Sequence, residues 1–384
     1  MINALPYIFL IIIYGGLSIL HKYFQKSPKK RKYINILSVV IFVIFFGLRG
    51  FIAYDWVVYY SVFHETPTIS KLLQTPYIQW TIEPGFLILV SLCKTIYPNN
   101  YIFFQAICTT LNILLITHFL KKYTYNIPIC LIIFIAMGGR DFSLDIIRNS
   151  ISIAIFINGI EFLEKRKIIP YTIICLIAAS FHNSALIYIP MYFVLNRNFN
   201  RYILISIFVA ANVICILHIP LLKNLVLLFA NLLSPSAALY IDTYMSFDKG
   251  TTSLFGIGYL ERLLTGILVL CYLNKLRNLR KSNVLINSMF FYLFINLFLS
   301  EFRTISTRCS YLFVYAYWII WIDLYKCLYY KSNKIIYIIC IGFYCIIKTY
   351  SGNNDPMYQY YNVLFDQKSH NERILYFRKN QNKK

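Results

Sequence analysis

Acidic side chains are scarce: the 384-residue chain holds 15 Asp+Glu, and charged residues of both signs make up only 14% of it, against about 25% in an average soluble domain. That shortage excludes a water-soluble fold. The ten cysteines show no C-x-x-C spacing, and Cys108, Cys130, Cys175, Cys215 and Cys271 sit inside apolar runs, where a thiol acts as a small hydrophobe. Neither a disulfide framework nor a zinc site follows from them. No Asp-x-Asp triplet occurs, so a divalent metal clamped in that fashion is not expected, nor is any cofactor. No internal repeat stands out, and the one biased segment is a polar, basic C-terminal tail. No Lys or Arg precedes the first apolar run, Pro6 to Leu20, so a cleavable signal peptide is not expected and an outside N-terminus is.

What the chain has instead is apolar bulk, 59% of it hydrophobic and 18% aromatic. At ~20 residues per spanning helix this supplies roughly eleven to twelve spans. The net charge of +22 comes from 37 Lys+Arg. In a membrane protein that excess reports orientation, because Lys and Arg collect in short cytoplasmic loops. Nucleic-acid binding is not expected.

Apolar run length and polar punctuation predict helices near 6–21, 33–51, 101–120, 127–139, 147–163, 168–181, 184–195, 202–219, 257–273, 284–300, 309–325 and 335–350. With the N-terminus outside, 20 basic residues fall into short inner connections, among them Lys22 to Lys32, Lys121–Lys122, Lys165 to Lys167 and Lys275 to Lys281. The run Phe86 to Tyr97 is read as a short interfacial helix rather than a span, since it opens at Glu83-Pro84-Gly85 and contains Lys94. The expected fold is therefore all-α: a polytopic integral membrane protein with about 12 transmembrane helices. One transmembrane domain would cover 1–350, with long outer loops at 50–100 and 220–256 and a basic tail at 351–384.

Charges at membrane depth usually pair, line a cavity or bind something. Five outer clusters meet that test. Leu48-Arg49-Gly50, Asp55 and Tyr59-Tyr60 leave the second helix, where the plainer reading is an aromatic belt with an Arg–Asp ion pair. Glu83-Pro84-Gly85-Phe86 places Pro and a carboxylate where a helix start wants them. Gly138-Gly139-Arg140-Asp141, Asp145 and Arg148 crowd one short turn, which a salt-bridge network would also explain. Phe181-His182-Asn183-Ser184-Ala185 separates two apolar runs too short to cross ~30 Å of hydrocarbon, which implies a polar pocket or funnel. Glu301-Phe302-Arg303 through Arg308, then Tyr311, adds guanidinium forks suited to phosphate. Arg262, beside Glu261, can join them. Several Args on one membrane face look like an anion site, and a polyprenyl pyrophosphate is the amphipathic anion that fits.

In this order, Arg49 with Asp55 and Tyr59-Tyr60, Glu83-Pro84-Gly85-Phe86, Arg148, Phe181-His182 with Ser184-Ala185, and Arg308 with Tyr311 resemble the EpsG-like family of Wzy-type polysaccharide polymerases. The resemblance spans about 45 to 365. It departs from the family at Asn149, where Gln is frequent, and in the loop near 234–256. It implies glycosyl transfer at the outer face of the bacterial inner membrane, from undecaprenyl pyrophosphate to a hydroxyl of another lipid-linked oligosaccharide repeat, in the O-antigen, capsule or exopolysaccharide class. Asp55 and His182 become the candidate bases, with Glu83 behind them. Arg49, Arg148, Arg303 and Arg308, with Tyr59, Tyr60, Glu83 and Tyr311, become the substrate-binding set, Arg49, Arg148 and Arg308 taking the place of a metal. A chain-length regulator and other assembly proteins join the lipid bilayer as conceivable partners. The alternatives are a flippase for the same lipid-linked repeats, which should show charged, broken helices at the midplane, a membrane O-acyltransferase built on the His, and a scaffold indifferent to every residue named.

Overall fold

A computed structural model describes residues 2–72, 74, 82–219, 256–280, 282–366 and 368–381. The loop expected at 220–256 falls outside them except for its last residue. Among the described residues the fold is helical without strands, and extended backbone pairs at one point, Arg49 with Asn362.

Every predicted helical run contains helix. Among the described residues, four helices are long and apolar enough to cross a membrane: Leu5–Tyr23, Tyr101–Lys121, Ile127–Leu144 and Lys331–Gly352. Ile257–Cys271 and Leu273–Arg280, bent by 72° at their junction, make a fifth if they act as one span. The other apolar runs are shorter or interrupted. Pro28–Phe42 passes into a π-helical turn, Val43–Gly47. The run from 147 breaks at Gly159, and the run from 184 is a 3-10 segment, Asn183–Ile187, followed by the four-residue Tyr188–Met191. Pro84–Ile96 is a helix of 13 residues, about 20 Å long at 1.5 Å per residue.

Helix starts follow the local chemistry. Asn100 accepts from Phe103 N–H at 2.9 Å and Asn200 from Tyr202 N–H at 2.9 Å, each opening a long helix. Proline stands in the first turn of Pro28–Phe42 and Pro84–Ile96, where its missing N–H costs nothing.

The chain divides into two compact units, Met1–Tyr192 with Ile339–Lys384, and Phe193–Ile338. In the first, an aromatic core gathers Phe51, Trp56, Tyr59, Phe63, Phe86, Tyr101 and Phe104 around the Tyr101–Lys121 helix. Polar residues on that helix turn inward, where the amide N–H groups of Gln105 and Asn112 find acceptors while their side-chain oxygens have none among the described residues. Gln105 donates to the Arg49 carbonyl at 2.7 Å and the Gly47 carbonyl at 3.2 Å, and Asn112 bonds Ser150. In hydrocarbon surroundings such pairing is obligatory. In the second unit Asp323, fully buried, receives Arg280 on both oxygens at 2.5 Å and Lys326 at 3.0 Å.

Candidate functional site

The Glu83-Pro84-Gly85 start is the joint between two parts of the first unit. Glu83 is extended and then buried, and its Oε2 accepts from Arg148 Nη1 at 2.7 Å. Its Oε1 accepts from the Asn183 N–H at 3.2 Å. Gly85 N–H donates to the Ser180 carbonyl at 2.8 Å, and a Cβ at position 85 would stand 2.4 Å from Ser180 Oγ. Only glycine permits that approach. The Glu-Pro-Gly-Phe and Phe-His-Asn-Ser motifs, about a hundred residues apart, thus form one contact with Arg148 between them.

At the break, His182 is extended and opens the 3-10 segment. Its Nδ1 accepts from Ser184 N–H at 3.2 Å and lies 2.7 Å from Ser184 Oγ, which in turn lies 3.1 Å from Asn149 Oδ1. His182 and Arg148 therefore share neighbours through the Arg148-Asn149 pair. The residue at 149, where the chain departs from the frequent Gln, takes part in this polar chain.

Arg49 does not turn to the Asp55 carboxylate. It is buried, and its Nη1 donates to the Phe46 carbonyl at 2.5 Å and its Nη2 to the Leu144 carbonyl at 3.5 Å. Asp55 stands at the N-cap position of the Trp56–Glu65 helix, with no capping bond from its side chain, and is half-buried. Its backbone N–H and that of Tyr54 both donate to Asp145 Oδ1, at 3.1 and 2.8 Å. Tyr59, buried on the same helix, feels both Asp55 and Arg148. Burial pushes its hydroxyl up, the Asp55 charge adds to this and Arg148 opposes it. Asp55, Tyr59, Arg148, Glu83, Asn183 and Ser184–His182 form one polar line within the first unit. Tyr60 faces away from that line. It stacks on His370 at 3.9 Å and lies 4.3 Å from His64.

Arg303, Arg308 and Tyr311 belong to the second unit. The Arg303–Tyr311 helix leaves both arginines exposed and Tyr311 partly buried. Five residues apart, the two arginines stand about 140° around that helix from each other. In the same unit Glu261 is buried, accepts from Thr265 Oγ1 at 2.8 Å, and Thr265 accepts from Trp321 Nε1 at 3.2 Å. Arg262 bonds the Tyr292 hydroxyl.

Sequence reading gave no role to the residues after Gly352, yet they pack onto the Arg49–Asp55 stretch. Val363 N–H donates to the Leu48 carbonyl at 3.0 Å, Gly50 N–H to the Tyr361 carbonyl at 3.2 Å and Ala53 N–H to the Met357 carbonyl at 3.0 Å. The signal available was Tyr358, Tyr360 and Tyr361, a close-set run among the tail's six aromatics.

The model of the EpsG family matches residues 32–365. The chain belongs to the EpsG family. EpsG-like proteins are Wzy-type polymerases, so a polysaccharide-polymerase-like function holds at the level of the family, as does a membrane protein with several spans. No curated protein and no solved structure matches the chain. The EpsG match encloses the whole polar line from Asp55 to Ser184, the Arg303–Tyr311 helix and the segment 353–365. The His370–Gln381 helix lies beyond it.

Proposed function

We propose that this EpsG-family chain is a glycosyltransferase that polymerises a bacterial surface polysaccharide at the outer face of the inner membrane. The observation that carries the reading is the convergence of Asp55, Tyr59, Glu83, Arg148 and His182 in one unit of a chain whose family match covers 32–365. The donor is a glycan on undecaprenyl pyrophosphate and the acceptor a sugar hydroxyl of a second lipid-linked repeat. The acceptor oxygen bonds to the anomeric carbon while the carbon–oxygen bond to pyrophosphate breaks, its electron pair leaving with the pyrophosphate. The hydroxyl proton passes to a base. Asp55 and His182 are the two candidates. Arg148 stabilises the departing charge without a metal; Arg303 and Arg308, in the second unit, are candidate anion ligands in their own right. Tyr59 lies between base and cation.

The topology that goes with this reading has about twelve spans, one transmembrane domain through residue 350 and outer loops at 50–100 and 220–256. Short helices around the 181–184 break leave a funnel open to the outside, where a lipid-linked pyrophosphate can present its head group. A chain-length regulator is the kind of partner such a polymerase would meet.

The test is incubation of the purified protein with lipid-linked repeat extracted from cells that lack it. A ladder of glycan lengths with release of undecaprenyl pyrophosphate supports the reading. Translocation of the repeat without a ladder, or acyl transfer to it, overturns it.

A further inference from the structure

We propose that Asp145 is a positioning residue of this site, whose partly buried carboxylate, together with the chain's own C-terminal segment, clamps the turn that presents Asp55. The proposal rests on the reading of Asp55 as the base.

The turn runs from Gly50 to Asp55 and includes Ala53 at φ 74°, the left-handed region that a residue with a Cβ seldom adopts. Such a conformation persists where the surroundings over-determine it. Here Gly50 N–H goes to the Tyr361 carbonyl at 3.2 Å and Ala53 N–H to the Met357 carbonyl at 3.0 Å, both on the C-terminal segment. Tyr54 and Asp55 N–H go to Asp145 Oδ1 at 2.8 and 3.1 Å. From the other side Arg373 Nε donates to the Phe51 carbonyl at 2.9 Å, and Tyr54 hydroxyl donates to Asp355 Oδ2 at 2.7 Å. Asp355 in turn holds its own segment by accepting from Met357 N–H at 2.9 Å.

Asp145 is where turn and segment meet, because its Oδ2 accepts from the Tyr358 hydroxyl at 2.9 Å. Three donors on one carboxylate fix it in place. Turn and segment lie some three hundred positions apart in the sequence, so this carboxylate ties the two ends of the first unit together at Asp55.

The ionisable groups around Asp145 are Asp55 beside it, Asp141 on the preceding turn, Arg140 against the Tyr358 ring at 4.6 Å, and Arg49. Arg140 is paired with Asp141 and bonds the Gly352 carbonyl. The Asp55 charge opposes ionisation of the Asp145 carboxyl. A base in this turn has its direction set by Asp145.

The experiment measures initial ladder growth by the full-length protein in lipid nanodiscs, against pH and against concentration of lipid-linked repeat extracted from cells lacking the protein. Asp145→Ala should lower kcat roughly 10- to 100-fold, the scale of a misplaced reacting group, with KM within about threefold of wild type. Asp145→Asn keeps an oxygen for both N–H donors, so it should recover most of that rate. Tyr358→Phe, which removes one of the three donors, should fall between. Asp145→Ala elongating at the wild-type rate, or Asp145→Asn slowed as far as Asp145→Ala, overturns the clamp. If Asp145→Ala fails to accumulate, Tyr358→Phe decides: a wild-type kcat there overturns it. Asp55→Asn separates the two readings: if it elongates normally, Asp55 is not the base and the clamp loses its catalytic role with it. If Asp55→Asn is inactive while Asp145→Ala is normal, the base stands and the clamp alone fails.

Discussion

Glu83 and Arg148, 65 positions apart, are joined by a 2.7 Å hydrogen bond from Arg148 Nη1 to Glu83 Oε2. The carboxylate is almost buried and the guanidinium about a quarter exposed, with 8% and 26% of their side-chain surfaces open. A pair in that position holds one edge of the guanidinium while its cationic plane stays near the polar line. Neighbouring Asn183 N–H on the other Glu83 oxygen makes the carboxylate the pin of the joint.

If Arg148 and Arg308 grip pyrophosphate as planar forks, Lys in their place keeps the charge and loses the paired donors. Each Arg→Lys change should remove ~1.5–3 kcal/mol of charge-assisted hydrogen bonding, or roughly 10- to 150-fold in transfer rate. Ladder assays on equal amounts of folded protein check this. Wild-type rates from both variants would reduce these arginines to ion-pairing or topological charges.

Gly85→Ala places a methyl group 2.4 Å from Ser180 Oγ and 2.8 Å from the Ser180 carbonyl oxygen. Overpacking of this kind costs about 1–3 kcal/mol. The variant should show a lower thermal midpoint in detergent and lose elongation with it, because the Glu83 and His182 segments are pushed apart. An unchanged midpoint with full activity would show that the joint yields at no cost.

Asp55→Asn and His182→Ala separate the two candidate bases. The true base should lose at least ~10²-fold in elongation while expression and insertion hold. Near-normal ladders from both would send the search for the base elsewhere, Glu83 first.

Burial pushes the Asp145 carboxyl from 3.8 up to about 6, with the charges of Asp55 and Asp141 adding to the rise and the Tyr54 and Asp55 N–H bonds opposing it. The folded state therefore holds this proton more tightly than the unfolded chain. Stability from this group is full below about pH 4 and declines as pH rises to about 6, by ~3 kcal/mol over the window. Thermal midpoints of wild type should fall across pH 4 to 6, and those of Asp145→Asn should fall less. Parallel curves for the two proteins would place the titration on another group.

Single cysteines test the orientation. In a background without native cysteines, Ser70→Cys and Thr251→Cys should react with an impermeant thiol reagent from outside intact cells and Ser27→Cys should not. The reverse pattern would put the Asp55–His182 line on the cytoplasmic face, away from the proposed substrate.

Composition and run length alone determined that the protein is helical and lives in a bilayer, because 59% hydrophobic residues with 14% charge leave no other solvent for it. The order of Arg49, Glu83-Pro84-Gly85-Phe86, Arg148 and Phe181-His182 was enough to indicate the family, since those residue types punctuate helices at fixed places along the chain. Which of them touch was decided only by tertiary structure. Arg49, an apparent anion ligand beside Asp55, instead spends its donors on the Phe46 and Leu144 carbonyls, as a buried guanidinium next to unpaired helix-end carbonyls will. Glu83, legible as a helix-start carboxylate, became the anchor of Arg148. The tail after Gly352 read as solvated because polar composition says nothing of long-range backbone pairing. Its bonds to Leu48, Gly50 and Ala53 exist only once folding brings the two ends together, since hydrogen bonds between main chains some three hundred residues apart leave no periodicity for the sequence to show.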